Sequence, residues 1–302
     1  MPQVDRRLQE EADRSQTYLI YQQTEPQLSA LLNRTLITAH MADVISHPAL
    51  GFSILLQESR FDDLTRMYGL FGRVADGHRS LQVALAKWIV DQGLRINDGL
   101  ALAGQDMPEQ MDHDGEGKKE SEQGAGARTR GALQWVQNVL DLKDKFDELR
   151  ARAFHNDKAF EKTINDAFTT FVNKNAKAPE YVSLFLDENL KKGLKGKSEA
   201  EVDVVLDKAI ALFRFLIEKD RFERYYNTHL SRRLITNRSV SEDAERGMLS
   251  KLKIESGSAF TKSGEGMMKD IKTSEDMAGE FRRYQDRANA KVRGAVCGAR
   301  AS

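Results

Sequence analysis

Apolar side chains recur every three or four residues along almost the whole chain, and this spacing limits the possible folds more than any other feature. A period of 3.6 residues places such side chains on one face of an α-helix, whereas a half-buried strand alternates apolar and polar residues. The chain also has only five prolines and few runs rich in Val, Ile and Thr, which disfavours an extensive sheet. The sequence therefore predicts an all-α fold. The clearest stripes are Phe160, Ile164, Phe168 and Phe171; Val182, Phe185, Leu186 and Leu190; Val202, Leu206, Ala209, Phe213 and Leu216; and Phe222, Tyr226, Leu230 and Leu234.

Several of these helical stretches carry capping signals at their ends. Asn156 or Asp157 stands where the N-cap of the Phe160 stripe is expected, because a short polar side chain can accept from a free backbone N–H there. Ser198 followed by Glu201 has the form of a capping box before the next stripe. Gly193, between them, is typical of a helix C-terminus.

Two segments lack the helical pattern. Residues 104–131 hold almost no large apolar side chain and many Gly, Gln and charged residues. Such a segment buries too little surface to offset an ordering entropy of about 1 to 2 kcal/mol per residue. We therefore predict a disordered loop over 104–131 and, because residues 285–302 are small and basic, an irregular basic tail there.

Charge and cysteine content limit the classes of function. Lys plus Arg and Asp plus Glu both number 46, so no net field attracts nucleic acid or an anionic membrane. Residues 151–302 are nevertheless mildly basic, with 29 basic and 23 acidic side chains. A single cysteine, Cys297, and the lack of a long apolar run predict a reducing compartment, the cytoplasm or nucleus, and no membrane partner.

Motifs for catalysis or ligand binding are weak. Gly196, Lys197 and Ser198 precede a helix as the end of a phosphate-binding loop would, yet Lys191 stands where that motif needs its first glycine. The six histidines form no His-x-x-x-His pair, and no second cysteine could complete a zinc set. The sequence thus predicts no catalytic residue, no cofactor and no metal, although a nucleotide-binding enzyme resting on residues 196–198 stays an alternative.

A basic cluster at Arg232, Arg233 and Arg238 follows the last of the four stripes. Cations at a helix C-terminus complement the helix dipole, so the cluster could be a solvated helix end. Protein docking is the functional interpretation that we assign to these three arginines. A helical nucleic-acid-binding or general protein-interaction module is the alternative, and aromatics buried at i, i+4 spacing disfavour base stacking.

Residues 222–254 resemble the cullin signature. Phe-Glu, a Tyr, Leu-x-x-Arg-Leu and Glu-x-x-Met-x-x-x-Leu-Lys occur there in the family's order. Residues 179–196 and 212–226 are similar to the same family, and the run is most similar to the third cullin subtype, which works with BTB-domain adaptors. Shorter stretches of the first half, such as 36–41 and 140–149, resemble the last helical repeat before that region.

The resemblance implies an elongated, non-catalytic helical scaffold of a cullin-RING E3 ubiquitin ligase. Such a scaffold holds a RING-box protein and a ubiquitin-conjugating enzyme near an adaptor-bound substrate for ubiquitin-dependent degradation. Residues 1–153 would form a cullin-repeat-like helical bundle and residues 154–284 a second helical bundle. The adaptor-binding repeat and the winged-helix segment with its modified lysine are not recognised in this sequence. We therefore expect adaptor binding only of longer family members, and at most partial contact with the RING-box protein.

Overall fold

The computed structural model describes residues 2–18, 24–103, 122–193, 196 and 198–298. These residues form helices joined by short turns, without a strand among them, so the all-α prediction is confirmed. None of the described helices combines the length and apolarity needed to cross a membrane. The chain divides into two compact units, Met1–Ala178 with Phe215–Ile217, and Pro179–Arg214 with Glu218–Ser302. These units divide along the chain at 178/179, apart from Phe215–Ile217, whereas the two helical bundles are predicted to divide at 153/154; that boundary stays a prediction.

The first unit is built around α6, which packs against both α7 and α8. Gly93 of α6 lies so close to α8 that a Cβ atom there would meet the Phe171 ring at 2.1 Å. The buried indole of Trp135 donates to the Asn97 Oδ1 atom at 2.8 Å, and Asn97 Nδ2 donates to the Phe171 carbonyl at 3.0 Å. The helices of this unit are α1 (Pro2–Tyr18), α2 (Thr24–Leu36), a 3-10 turn (Thr38–His40), α3 (Met41–Ser46), α4 (Phe52–Gln57), α5 (Phe61–Phe71), α6 (Gly77–Ala103), α7 (Glu122–Ala153) and α8 (Lys158–Val172).

The second unit packs the start of α13 against α11 and α12. Its core contains the ring of Phe222, whose centroid lies 4.9 Å from that of Phe213 and 5.8 Å from that of Tyr226. Gly264 permits close packing, because a Cβ atom there would lie 2.7 Å from Leu249 Cδ2. The helices are α9 (Ala178–Glu188), a π-helical segment (Asn189–Gly193), α10 (Glu199–Phe215), α11 (Lys219–Ile235), α12 (Glu242–Ser256) and α13 (Ser258–Gly298).

The two N-terminal capping predictions are confirmed. Asp157 is the N-cap of α8, and its side chain accepts from the Ala159 N–H at 2.7 Å. The capping box is reciprocal: Glu201 Oε2 accepts from the Ser198 N–H at 2.8 Å, and Ser198 Oγ accepts from the Glu201 N–H at 3.4 Å. These side chains satisfy backbone donors that the first helical turn leaves free.

Two predictions of irregular structure are corrected in part. Residues 122–131 belong to α7, and residues 285–298 belong to α13. In both stretches Ala, Arg, Lys and Gln, which favour helices, outweigh the glycines. Each stretch also continues a helix that has packed turns elsewhere, so no new nucleus is needed. The rest of the predicted loop, 104–121, and the end of the predicted tail, 299–302, lie outside the described residues.

Candidate functional site

The buried face of α11 organises the site. Phe222, Tyr226 and Leu230 are buried, as the four-residue spacing predicts, while Leu234 is partly exposed. Tyr226 also lies under the guanidinium of Arg233, whose Cζ is 5.9 Å from the ring centroid. The aromatic side chains Phe222 and Tyr226 thus belong to the core of the second unit and present no stacking surface to a nucleic acid.

Arg233 is not a surface residue. Its side chain has 0% exposure, so the prediction that it docks a partner is corrected. Its Nε and Nη2 atoms donate to the two carboxylate oxygens of Glu245 at 2.7 and 2.9 Å. Its Nη1 atom donates to Asp187 Oδ1 at 2.7 Å. The physical reason is helical register: Arg233 follows Leu230 by three residues and therefore points into the same buried face.

Three elements contribute to this buried charge cluster, which comprises Asp187 of α9, Arg233 of α11 and Glu245 of α12. Lys191, in the π-helical segment, forms an ion pair with Asp187 and balances its charge. The hydroxyl of Ser239 donates to Glu245 Oε1 at 2.7 Å. With these partners the two buried carboxylates and the guanidinium are hydrogen-bonded, as buried charges must be to avoid a large desolvation cost.

A backbone hydrogen bond beside the cluster joins two further segments of the second unit. The Val240 N–H donates to the Leu190 carbonyl at 2.9 Å, which joins the turn between α11 and α12 to the π-helical segment. The last turn of a helix leaves carbonyl groups without partners inside the helix, and Leu190 lies in the last turn before Gly193. The contact therefore supports the turn that carries Ser239 and Arg238.

The cluster shifts the pKa values of the residues around it. Burial lowers the pKa of Arg233, but its hydrogen bonds and charge interaction with Glu245 outweigh this and raise it overall. Burial, followed by the charge of Glu245, raises the pKa of Tyr226. Burial also lowers the pKa of His229, against the opposing attraction of Asp187, whose Oδ2 atom lies 3.6 Å from His229 Nδ1. Arg233 therefore stays charged, and Tyr226 and His229 stay neutral, near pH 7.

The other two predicted docking arginines, Arg232 and Arg238, are exposed. Among the described residues neither has an ion-pair partner, and they flank Ile235, whose side chain is 77% exposed. These three residues define the α11-end surface. It combines two cations with one aliphatic side chain, a composition suited to a protein partner with acidic and apolar groups. Its docking role stays a prediction.

The residues of the suspected phosphate loop are arranged differently. Lys197 lies outside the described residues. Gly196 occupies a turn with a φ of 82°, and Ser198 Oγ donates to Glu201 Oε2 at 2.9 Å. A carboxylate thus occupies the start of α10, where a phosphate would need to bind. No group of His, Cys, Asp and Glu side chains in the described part of the chain could hold a metal ion.

Comparison with known proteins identifies the family. The cullin family model, described as "Cullin alpha solenoid domain", matches residues 1–278. The chain belongs to the cullin family. It is 41% identical over 284 residues to Cullin-3 of Dictyostelium discoideum, which covers 94% of this chain and 33% of that protein. It is 36% identical over 291 residues to Cullin-3 of Schizosaccharomyces pombe, a match that covers 96% of this chain and 35% of that protein. It is 35% identical over 288 residues to Cullin-4A of Mus musculus, a match that covers 95% of this chain and 34% of that protein.

The chain spans about a third of the length of these cullin relatives. Its buried charge cluster joins two parts of the sequence signature: Arg233 is the arginine of Leu-x-x-Arg-Leu, and Glu245 opens Glu-x-x-Met-x-x-x-Leu-Lys. Sequence reasoning missed Asp187 and Glu245 as partners of Arg233. The available signal was the position of Arg233 on the Tyr226–Leu230 face of α11, where an unpaired charge would be costly.

Proposed function

We propose that this chain acts as a non-catalytic scaffold within a cullin-RING E3 ubiquitin ligase. The observation that carries the proposal is membership of the cullin family over residues 1–278. In this role the chain forms no bond itself. It holds a RING-box protein, and through it a ubiquitin-conjugating enzyme, relative to an adaptor-bound substrate in the cytoplasm or nucleus.

A scaffold of this kind acts through effective concentration, which depends on the distance and stiffness of the connection between two bound partners. Helices packed through buried side chains supply such stiffness. In the second unit the charge cluster of Asp187, Arg233 and Glu245 ties three helices together, which supports a role based on fixed geometry. The RING-box protein is the partner that we propose for this chain, and BTB-domain adaptors are the partners that we propose for longer family members, on the strength of the resemblance to the third cullin subtype.

Co-purification tests the proposal. The affinity-tagged full chain is expressed in cells, and a RING-box protein is expected among the proteins recovered with it. Absence of a RING-box protein would contradict the proposal. Recovery of DNA or RNA, with a yield that falls steeply as salt rises, would support the nucleic-acid alternative instead.

A second measurement separates scaffolding from binding alone. Ubiquitin transfer from a conjugating enzyme to a substrate fused to the first residues of the chain, an arrangement that needs no adaptor, is measured with a RING-box protein. Arg233→Met is the test variant and Arg224→Met is its control. Arg224 is an exposed arginine of the same helix. Rates are compared at a temperature at which circular dichroism shows both variants to be folded. If rigid geometry matters, Arg233→Met lowers the transfer rate while Arg224→Met leaves it unchanged; equal rates would contradict the scaffold mechanism.

A further inference from the structure

Three large apolar side chains are exposed on the later turns of α13. Met277, Phe281 and Tyr284 have exposures of 65%, 59% and 68%. Their spacing of four and three residues places them on a single line along the helix, the spacing of a coiled-coil seam. We call these three residues the α13 stripe. Contiguous apolar surface of this kind on a helix marks an interaction site more often than scattered exposed residues do.

The first turns of α13 behave differently. Thr261 and Met268 are buried, and Gly264 lies against Leu249 of α12 and Leu230 of α11. From Lys272 to Met277 every side chain is exposed. The described part of the chain thus supplies a packing partner for the beginning of α13 and none for the α13 stripe.

Acidic and basic side chains are separated along the same turns of α13. Residues 270–280 hold four acidic and one basic side chain, and residues 281–287 hold three basic and one acidic. The stripe therefore runs from a segment of net charge −3 into one of net charge +2. A second α13 packed antiparallel would place each acidic segment against a basic one, whereas a parallel copy would place like charges together.

We propose that the α13 stripe is a self-association surface on which α13 of a second copy of this chain packs antiparallel. Spacing and charge polarity both favour this occupant. A two-fold axis midway between Met277 and Phe281 would place Met277 of each copy against Phe281 of the other. These two pairs would form the centre of the contact. In that register Ser274 lies level with Tyr284 of the second copy, and Asp276 lies beside Arg282 and Arg283 of the second copy. A two-fold contact of this kind is self-complementary and closes at two chains.

Sedimentation of the isolated full chain tests the inference. Over about 1 to 100 µM, a range suited to weak dimers, the mass is expected to rise from 34.1 kDa towards twice that value. Phe281→Asp is expected to weaken the dimer by about tenfold or more, because it places a charge at the centre of the contact. Ile254→Asp is the control: it makes the same kind of change at an exposed position of α12 (85% exposed). It should leave the dimer unchanged.

Charge exchange tests the antiparallel direction. Asp276→Arg is expected to weaken association, and combining it with Arg283→Asp is expected to restore it, since each segment then meets its opposite again. Circular dichroism of each variant checks that the helices persist.

The proposal is overturned if the chain stays monomeric throughout the concentration range, or if Phe281→Asp leaves the dimer intact. A monomeric chain would mean that the α13 stripe binds a different protein. Failure of the exchange to restore the dimer overturns the antiparallel arrangement. Since no ligase component is present, none of these outcomes bears on the proposed scaffold function.

Discussion

Arg233 of α11 and Glu245 of α12 form two parallel hydrogen bonds of 2.7 and 2.9 Å, and both side chains have 0% exposure. Paired in this way, each side chain satisfies the other's buried charge. The net contribution of such a pair to stability is often small, because desolvation offsets the attraction, but the loss of one partner leaves an uncompensated charge. The pair therefore makes the second unit sensitive to substitution at either position.

Replacing Arg233 by Met should destabilise the second unit by about 3 to 5 kcal/mol, because Glu245 and Asp187 then remain buried without the guanidinium. Urea denaturation followed by circular dichroism measures the change in the free energy of unfolding. Arg232→Met is the matched control, since Arg232 is exposed at the preceding position of the helix. This substitution should change stability by no more than about 0.5 kcal/mol. Equal effects of the two variants would contradict the buried pairing.

A double-mutant cycle should detect the coupling directly. Glu245→Gln alone should be destabilising, and its effect should be smaller in the Arg233→Met background, with an interaction energy of about 0.5 to 3 kcal/mol for groups in contact. Glu242→Gln, at an exposed position of the same helix, should show no coupling to Arg233→Met. An additive result for Glu245 would mean that the two side chains act independently.

Sequence reasoning finds most of the fold but not this pair. Helical spacing identifies the Phe222, Tyr226 and Leu230 seam, because burial of one helix face leaves a periodic signature. It does not identify which acids meet Arg233, since Asp187 precedes it by 46 residues and only the packing of separate helices brings them together. The cluster of basic residues suggests a surface position for Arg233, whereas its spacing of three residues from Leu230 indicates that its side chain is buried.

The length of α13 could not be predicted for a related reason. Residues 272–287 include no buried side chain, so the spacing of core residues does not mark the helix beyond its packed first turns. Intrinsic helix propensity, which is weak for each residue, is then the main indication. The α13 stripe itself is readable from the sequence as Met277, Phe281 and Tyr284, but its exposure follows only from the structure.

His229 should make stability depend on pH. Burial holds its pKa below the ordinary value in the folded chain. The unfolded chain therefore binds a proton more readily, and stability is lost as pH falls from about 6.5 through the lowered pKa. The groups facing the imidazole are Asp187, which favours its charged form, and Lys191, Arg232 and Arg233, which oppose it.

The melting temperature at about pH 7.5 and about pH 5.5, on either side of the ordinary histidine pKa, measures this effect. The unaltered chain should lose more stability over that interval than His229→Gln, which cannot bind the proton. His40→Gln, at an exposed position, serves as the control and should follow the unaltered chain. If His229→Gln also follows it, the burial of His229 does not govern the pH dependence.

Gly93 and Gly99 of α6 should respond to alanine in opposite directions. A Cβ atom at Gly93 would lie 2.1 to 2.5 Å from three atoms of the buried Phe171 ring, whereas one at Gly99 meets nothing within 4 Å. Gly93→Ala should therefore cost about 1 to 3 kcal/mol through overpacking. Gly99→Ala should stabilise the chain by up to about 1 kcal/mol through helix propensity. Chemical denaturation of both variants checks the difference, and a stabilising Gly93→Ala would contradict the close packing of α6 and α8.

The α11-end surface should contribute to partner binding without contributing to stability. Arg232 and Arg238 are exposed, so reversing their charge in Arg232→Glu/Arg238→Glu should leave the melting temperature nearly unchanged. If an acidic partner docks there, the double variant should recover several-fold less of that partner in co-purification, because like charges then face each other. Arg224→Glu, at an exposed position nearer the other end of the same helix, controls for charge reversal away from the α11-end surface. Recovery that is equal for the double variant and for Arg224→Glu would show that Arg232 and Arg238 contact only solvent.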